Sequence, residues 1–265
     1  MNLIGALQRN PLINSLVKTL RLHRIADAWL GRFPLRSRTA SGCVYCVDSI
    51  SALVVAREIF ATDVYAAPVA QVRPVTFIDL GSNVGYFPVL VAEVMRSRAI
   101  KGLCVEPNPH LHRLAEYHVA ENALTNVHLV KGAVGTDGVI GQADFFLNPS
   151  HIASSLSGDF NPHVAVGGAV EKIQVPVIDL AAEWEKRFGS ERVGLLKVDI
   201  EGSERDFLRS HAGFLERVDA ILVEWHKWVT TCEEITGLLQ PCGFDLAAVC
   251  DEDRNAGTAL FRRPA

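Results

Sequence analysis

Four short segments carry side chains whose types and spacing could do chemistry. The first runs Asp79-Leu-Gly81-Ser82-Asn83-Val-Gly85-Tyr86, where an apolar run from Val75 to Leu80 meets a glycine-bearing turn and then a helical pattern. Such a turn brings bare backbone N–H groups to a helix N-terminus, where a ligand can approach closely. The spacing is not Gly-x-Gly-x-x-Gly, because Ser82-Asn83 stands where a dinucleotide fingerprint has its second glycine. It fits the Asp-x-Gly-x-x-x-Gly turn that cradles S-adenosylmethionine (SAM), with Asp79 accepting from the ligand's ammonium group or a water and Gly81 and Gly85 keeping the floor open. Ser82, Asn83 and Tyr86 are expected at the same ligand. A packing corner of an α/β fold is the alternative for this turn taken alone.

The second segment, Gly102-Leu-Cys-Val-Glu106-Pro107-Asn-Pro109, reads as a buried strand that ends in an acid and is stopped by prolines. In a doubly wound sheet that acid lies beside the first turn, where its carboxylate can accept from both ribose hydroxyls. Glu106, with Pro107 after it, follows the turn at close to the roughly 20 residues expected of a ribose-binding acid. The third segment is Lys197-Val-Asp199-Ile-Glu201-Gly-Ser-Glu204. Period-2 alternation puts Asp199 and Glu201 on one side, where paired carboxylates could hold an acceptor hydroxyl, act as a general base or bind a divalent ion. Acids that merely favour a helix N-terminus are the competing explanation, and it suits Glu204. The fourth is Glu224-Trp-His226, in which His226 is a candidate base and Glu224 a candidate acceptor-positioning group.

The elements that must position these groups alternate between strand and helix, the pattern of an open, mostly parallel sheet covered on both faces. Strands are expected over Val75–Leu80, Gly102–Glu106, Val127–Val130, Val175–Ile178, Val193–Ile200 and Ala220–His226, with a terminal antiparallel pair over Phe244–Val249 and Thr258–Phe261. That pair is what the class I methyltransferase fold, a doubly wound sheet of seven strands, adds to the plain dinucleotide-binding plan. Residues 138–173 are rich in Gly, Ser, Asn and Pro and read as an inserted hairpin and loop, too long for a simple connection. The part from 148 to 165 is a candidate lid, and His151, Ser154, Ser155 and His163 are candidates to line an acceptor pocket.

Composition fits an enzyme-sized globular chain of 265 residues: 49% hydrophobic and 21% charged residues argue against disorder. Residues 71–265 are expected to form the SAM-binding domain, and residues 1–70 an N-terminal helical segment, basic and amphipathic at its start. The first 40 residues carry seven basic side chains against Asp27 alone, in a chain of net charge −4. Such a segment could dock on an anionic membrane surface or pack as a flap with its arginines solvated. No run reaches the ~18 apolar residues of a transmembrane helix, no secretory signal is read, and the acidic balance elsewhere gives no support for nucleic-acid binding. The six cysteines are scattered, and Cys43-Val-Tyr-Cys46 lacks a second ligand pair, so no metal ligand set is assigned and a reducing cytoplasm is expected.

Taken together, Asp79 to Tyr86, Glu106-Pro-Asn-Pro109, Leu196 to Glu204 and Val223-Glu-Trp-His226 resemble the FkbM family of SAM-dependent methyltransferases. Glu58-Ile-Phe60 to Tyr65 and Ser154-Ser155-Leu156 resemble it too, so that the likeness covers residues 55 to 262, with Lys197 to Glu204 its most specific part. The resemblance implies SAM as methyl donor and an O-methyl product, often on a sugar or a secondary metabolite. It implies that Asp79, Gly81, Asn83 and Gly85 face the methionine portion and Glu106 the ribose, with Ala133 and Val134 near the adenine and Asp199 beside the transferring methyl. A divalent metal is left open. Competing expectations are a nicotinamide-dependent oxidoreductase on the same sheet and a non-catalytic domain that binds SAM or a partner.

Overall fold

A computed structural model describes residues 22–135, 140–147 and 171–264. Helix α1 (Leu22–Arg32) leads into a hairpin of β1 (Leu35–Arg38) and β2 (Val44–Val47). The hairpin departs from the wholly helical stretch expected before residue 70; two strands of four residues are too short to show an alternating pattern. Helices α2 (Ile50–Ala61) and α3 (Asp63–Val72) follow, and their N-termini are capped by the side chains of Ser49 and Thr62, which accept from Ala52 and Val64 N–H.

Next come β3 (Thr76–Leu80), α4 (Tyr86–Met95), β4 (Lys101–Glu106), α5 (Pro109–Glu121) and β5 (Val127–Lys131). Helix α5 starts where the sequence dictates, with Asn108 as N-cap accepting from His110 and Leu111 N–H, and a proline at its first position. Short β6 (Ala133–Val134), β7 (Gly141–Leu147) and β8 (Glu171–Ile178) precede α6 (Leu180–Phe188), β9 (Leu195–Val198), α7 (Glu204–Ser210) and α8 (Ala212–Leu215). The chain continues through β10 (Ala220–His226), α9 (Cys232–Leu239), β11 (Asp245–Glu252) and β12 (Ala256–Arg262).

Seven strands form one sheet in the order β11-β12-β10-β9-β3-β4-β5. The β9–β10, β3–β9, β3–β4 and β4–β5 pairs are parallel, whereas β12 runs antiparallel to both β10 and β11. Side-chain alternation divides the core between two faces. Phe77, Leu195, Leu222 and Leu260 pack on one side with residues of α2, α3 and α4, while Ile78, Leu196, Ile221 and Phe261 pack on the other with α6, α7 and α9. Cys43, Val47, Ala52, Ile59, Tyr65 and Val69 share the first of these cores, so the stretch from β2 to α3 is built into the sheet's cover.

The strand expected over Val175–Ile178 is not part of the large sheet. It lies within β8, which pairs antiparallel with β7 from Gly141↔Val177 to Leu147↔Glu171 and parallel with β6, giving a separate three-stranded sheet. β7 on one side and β6 on the other take up the backbone of β8, leaving it no ladder to donate to the main sheet. Residues 148–170 fall outside the described residues, and with them His151, Ser154, Ser155, His163 and the candidate lid. Among the described residues no helix is long and apolar enough to cross a membrane.

Candidate active site

Strand β3 is central, and its carboxyl end is fixed from both sides. Gly81 and Ser82 N–H donate to the Val105 carbonyl at 3.1 and 3.0 Å, and Asp199 N–H donates to the Leu80 carbonyl at 3.2 Å. Gly81 has φ +75°, and a Cβ there would stand 1.8 Å from the carbonyl oxygen of Asp199. The glycine is required because two strand ends converge at this point. Gly85, at φ +80°, caps α4, and a Cβ there would lie 2.7 Å from Ala115 Cα. Its place is the close crossing of α4 and α5, beneath the ligand site rather than at its surface.

A cleft opens over this turn. Its polar wall holds Gly81, Asn83, Glu106, Asp199 and Glu201, and its apolar wall includes Pro107, Ala133, Val134 and Phe145. Phe145 was not anticipated; it comes from β7, whose alternation marks it as buried but not what it faces. Glu106 is 5% exposed, and its two carboxylate oxygens accept from Asn83 N–H and Asn108 N–H, each at 2.8 Å. Each oxygen keeps a lone pair for a further donor. Burial pushes the Glu106 carboxyl up to about 7, against the two N–H groups that hold it down. A ligand whose hydroxyls donate to this carboxylate favours its charged form, so binding releases a proton around neutrality. The affinity for S-adenosylhomocysteine (SAH) is expected to rise about tenfold from pH 6 to pH 8, as the ionised fraction of a group with pKa near 7 does. Calorimetric titration at the two pH values checks this; Glu106→Gln should flatten the dependence, and an unchanged slope in that variant would remove Glu106 as its source.

Below the turn sits a buried charge chain. Asp79 is 0% exposed and lines neither cavity described here. Its Oδ1 lies 3.2 Å from Lys197 Nζ, an ion-pair distance, yet neither of its carboxylate oxygens has an aligned hydrogen-bond donor among the described residues. Lys197 also contacts Asp199 Oδ2 at 3.1 Å and donates to the Gly81 carbonyl at 3.4 Å. Burial pulls the Lys197 pKa down, but Asp199, Asp79 and Glu224 together outweigh it and hold the ammonium charged. Asp79, expected at the ligand, balances Lys197 in the structure.

A second cavity adjoins the first and shares Gly81, Asn83, Asp199 and Glu201 with it. It adds Glu58, Tyr65, Ser82, Tyr86, Lys197 and Glu224. The Tyr65 hydroxyl donates to Glu224 Oε2 at 2.6 Å, and Tyr86 donates to the Cys46 carbonyl. Burial first, and then the neighbouring Asp199, raise the carboxyls of Glu58 and Glu224 above the ordinary range. Glu58 and Tyr65 come from α2 and α3, ahead of the first sheet strand. Their contribution rests on tertiary packing that no local spacing encodes.

Asp199 and Glu201 do not share one side of a strand, because β9 ends at Val198 and Glu201 adopts φ +51°. A left-handed turn, not a strand, presents both carboxylates to the shared mouth of the two cavities. His226 lies between two of the acids, with Nδ1 3.0 Å from Glu204 Oε1 and Nε2 3.2 Å from Glu201 Oε2. Burial acts to lower its pKa, but the hydrogen bonds to Glu201 and Glu204 raise it well above the ordinary value. His226 is therefore held as an imidazolium and is a poor proton acceptor. Glu204 is fully buried and accepts from Ile200 and Gly202 N–H as well, so it orients the ring and closes the turn. Burial pushes the Glu201 carboxyl up to about 7, with the His226 hydrogen bond opposing.

The strand order, the parallel core with its antiparallel final strand and a cleft at the carboxyl end of the first core strand define a class I methyltransferase fold. Residues 79–246 match the family model described as the Methyltransferase FkbM domain, and the protein belongs to that family of SAM-dependent methyltransferases. Membership sets aside the nicotinamide-dependent oxidoreductase. Solved structures share the fold at low identity. M. jannaschii TYW2 in complex with AdoMet is 12% identical, with TM-score 0.43 and 87% of each chain covered. The methyltransferase FkbM from Methylobacillus flagellatus KT is 13% identical, with TM-score 0.46, and the match covers 71% of this chain and 43% of that one. The precorrin-6y C5,15-methyltransferase from Geobacter metallireducens GS-15 is 12% identical, with TM-score 0.44, covering 77% and 88%. No curated protein sequence matches the chain.

Proposed function

We propose that the protein is a SAM-dependent O-methyltransferase that acts in the cytoplasm on a hydroxyl group of a sugar, glycan or secondary metabolite. The observation that carries this reading is the junction at Asp199 and Glu201 of two cavities with different linings. One has a buried carboxylate suited to a ribose diol beside apolar walls suited to a purine; the other is rich in carboxylates and suits a polar, hydroxyl-bearing acceptor. Glu106 holds the ribose, the Gly81–Asn83 backbone faces the methionine portion, and Pro107, Ala133, Val134 and Phe145 enclose the base. Ser82 and Tyr86 stand on the acceptor side, and Asp79 and Gly85 act from beneath. The exposed Ile25 and Trp29 of α1, with Phe33 just after it, favour peripheral contact with an anionic surface as part of this reading.

When bound, SAM supplies a methyl group made electrophilic by its sulfonium. The protein's task is alignment, with the acceptor oxygen brought to a near-attack distance of roughly 3–3.5 Å, and proton removal. Asp199 would stand beside the acceptor oxygen and the methyl group at the mouth shared by the two cavities. Glu201, whose carboxyl burial pushes up to about 7, would take the acceptor's hydroxyl proton at neutral pH. The His226 imidazolium orients Glu201.

Calorimetric titration with SAH tests the reading. Micromolar binding is expected for the wild-type protein, weakened at least about tenfold by Glu106→Ala through loss of a doubly accepting carboxylate. Labelled SAM then serves to screen sugar and phenol acceptors. Failure of the folded wild-type protein to bind SAH would overturn the assignment.

A further inference from the structure

Building on the methyl-transfer reading, we propose that a divalent-cation site of the Mg²⁺/Mn²⁺ class borders the acceptor-side cavity, with Asp199, Glu224 and His226 as its protein ligands. One ligand atom from each of these three residues lies within 4.8 Å of the others. A six-coordinate ion with ligand distances of about 2.1 Å sets its ligand atoms roughly 3–4 Å apart, so small side-chain rotations complete the set.

The supports of these ligands are rigid. Glu224 and His226 are two apart on β10 and project to the same side, and Asp199 follows the neighbouring parallel strand β9, where Val198 pairs with Val223. His226 is oriented as a metal-binding histidine is. Its Nδ1 bonds the buried Glu204 carboxylate, itself fixed by two backbone N–H groups, and Nε2 points toward the cavity acids. In the ion-free form, Glu201 Oε2 occupies that second nitrogen. Glu224 is likewise braced by the Tyr65 hydroxyl.

Two further observations point to a bound group. Ser82 lines the same cavity and is 4% exposed, and its hydroxyl has no hydrogen-bond partner among the described residues. The cavity also brings the carboxylates of Glu58, Asp199, Glu201 and Glu224 together with Lys197, whose ammonium is engaged by Asp79 and Asp199. The two carboxylates suit Mn²⁺ or Mg²⁺, the imidazole tilts the set toward Mn²⁺, and three protein ligands leave coordination positions open. An acceptor hydroxyl bound there loses its proton more readily, and the ion fixes its oxygen at the mouth shared with the SAM cleft.

The test is titration of the chelator-treated full chain with Mn²⁺, followed by the electron paramagnetic resonance signal of free Mn²⁺, with SAH calorimetry in parallel. Saturable binding of one Mn²⁺ per chain is expected, weakened at least about tenfold in Glu224→Gln and in His226→Gln. On the wild-type protein, Mn²⁺ should also broaden the His226 ring resonances, a readout that does not depend on how the variants fold. No saturable Mn²⁺ binding by protein that binds SAH, or His226 resonances that stay sharp at saturating Mn²⁺, would overturn the cation site and leave the methyltransferase reading standing. Mn²⁺ bound at His226 by protein that does not bind SAH would uphold the cation site and overturn the cofactor reading.

Discussion

Replacing Asp199 with Asn is expected to lower kcat by about 10²- to 10⁴-fold, the range for a group that handles the reacting proton or its donor. Asp199 lines both cavities, so its carboxylate is placed to touch an acceptor oxygen and the methyl end of a bound cofactor at once. Asparagine keeps the shape, and Lys197 retains Asp79 at 3.2 Å, so the buried charge chain keeps a carboxylate for its ammonium. SAH affinity should stay within about threefold of wild type, because the loss falls on the transition state and not on cofactor binding. Single-turnover kinetics with labelled SAM and an acceptor from the screen would show the split. Unchanged kcat would move the chemistry away from Asp199. Equal losses in kcat and SAH affinity would instead make it a cofactor ligand.

Gly81→Ala should have the largest effect on folding. The new methyl carbon would lie 1.8 Å from the Asp199 carbonyl oxygen, a backbone atom that cannot swing aside, and the residue would have to hold φ +75°. Strain and overpacking of this kind cost about 3 kcal/mol or more, which for a chain of this size lowers Tm by roughly 6–12 °C. The Asp199 N–H bond to Leu80 would also be disturbed, so SAH binding should fail before global unfolding. Circular dichroism melts beside SAH calorimetry read both effects. A Tm within about 2 °C of wild type would show that the two strand ends part without cost.

Much of this site was legible because the sheet turns short motifs into positions. A strand ending at Leu80 and another at Glu106 must lie side by side if both are parallel and consecutive, and the Asn83 N–H bond to Glu106 follows from that adjacency. Glu201 lies at the candidate cleft for a reason other than the alternation expected of it: a left-handed turn, not a strand, presents it. His226 was legible as a histidine at a strand end, and not as an imidazolium, because its partner Glu204 reaches it through the fold. Tyr65, Glu58 and Phe145 were missed as site residues for the same physical reason. Each belongs to an element whose own pattern reports burial, while the cavity it faces is set by packing against strands distant in sequence.

The place of β3 between β4 and β9 also sets when the cleft can exist during synthesis. Phe77 pairs with Leu195, so one edge of the central strand waits for roughly 120 further residues to leave the ribosome, a long-range closure of the slow kind. Until then Phe77 to Leu80 present an apolar, unpaired strand edge, and the Gly81 turn lacks the backbone that seals it. Cofactor cannot stabilise the growing chain, because its cleft needs Asp199 and Glu201 as one wall. A nascent chain stalled before residue 195 would be a natural client for a chaperone, holding the motif that names its family and none of the binding energy that goes with it.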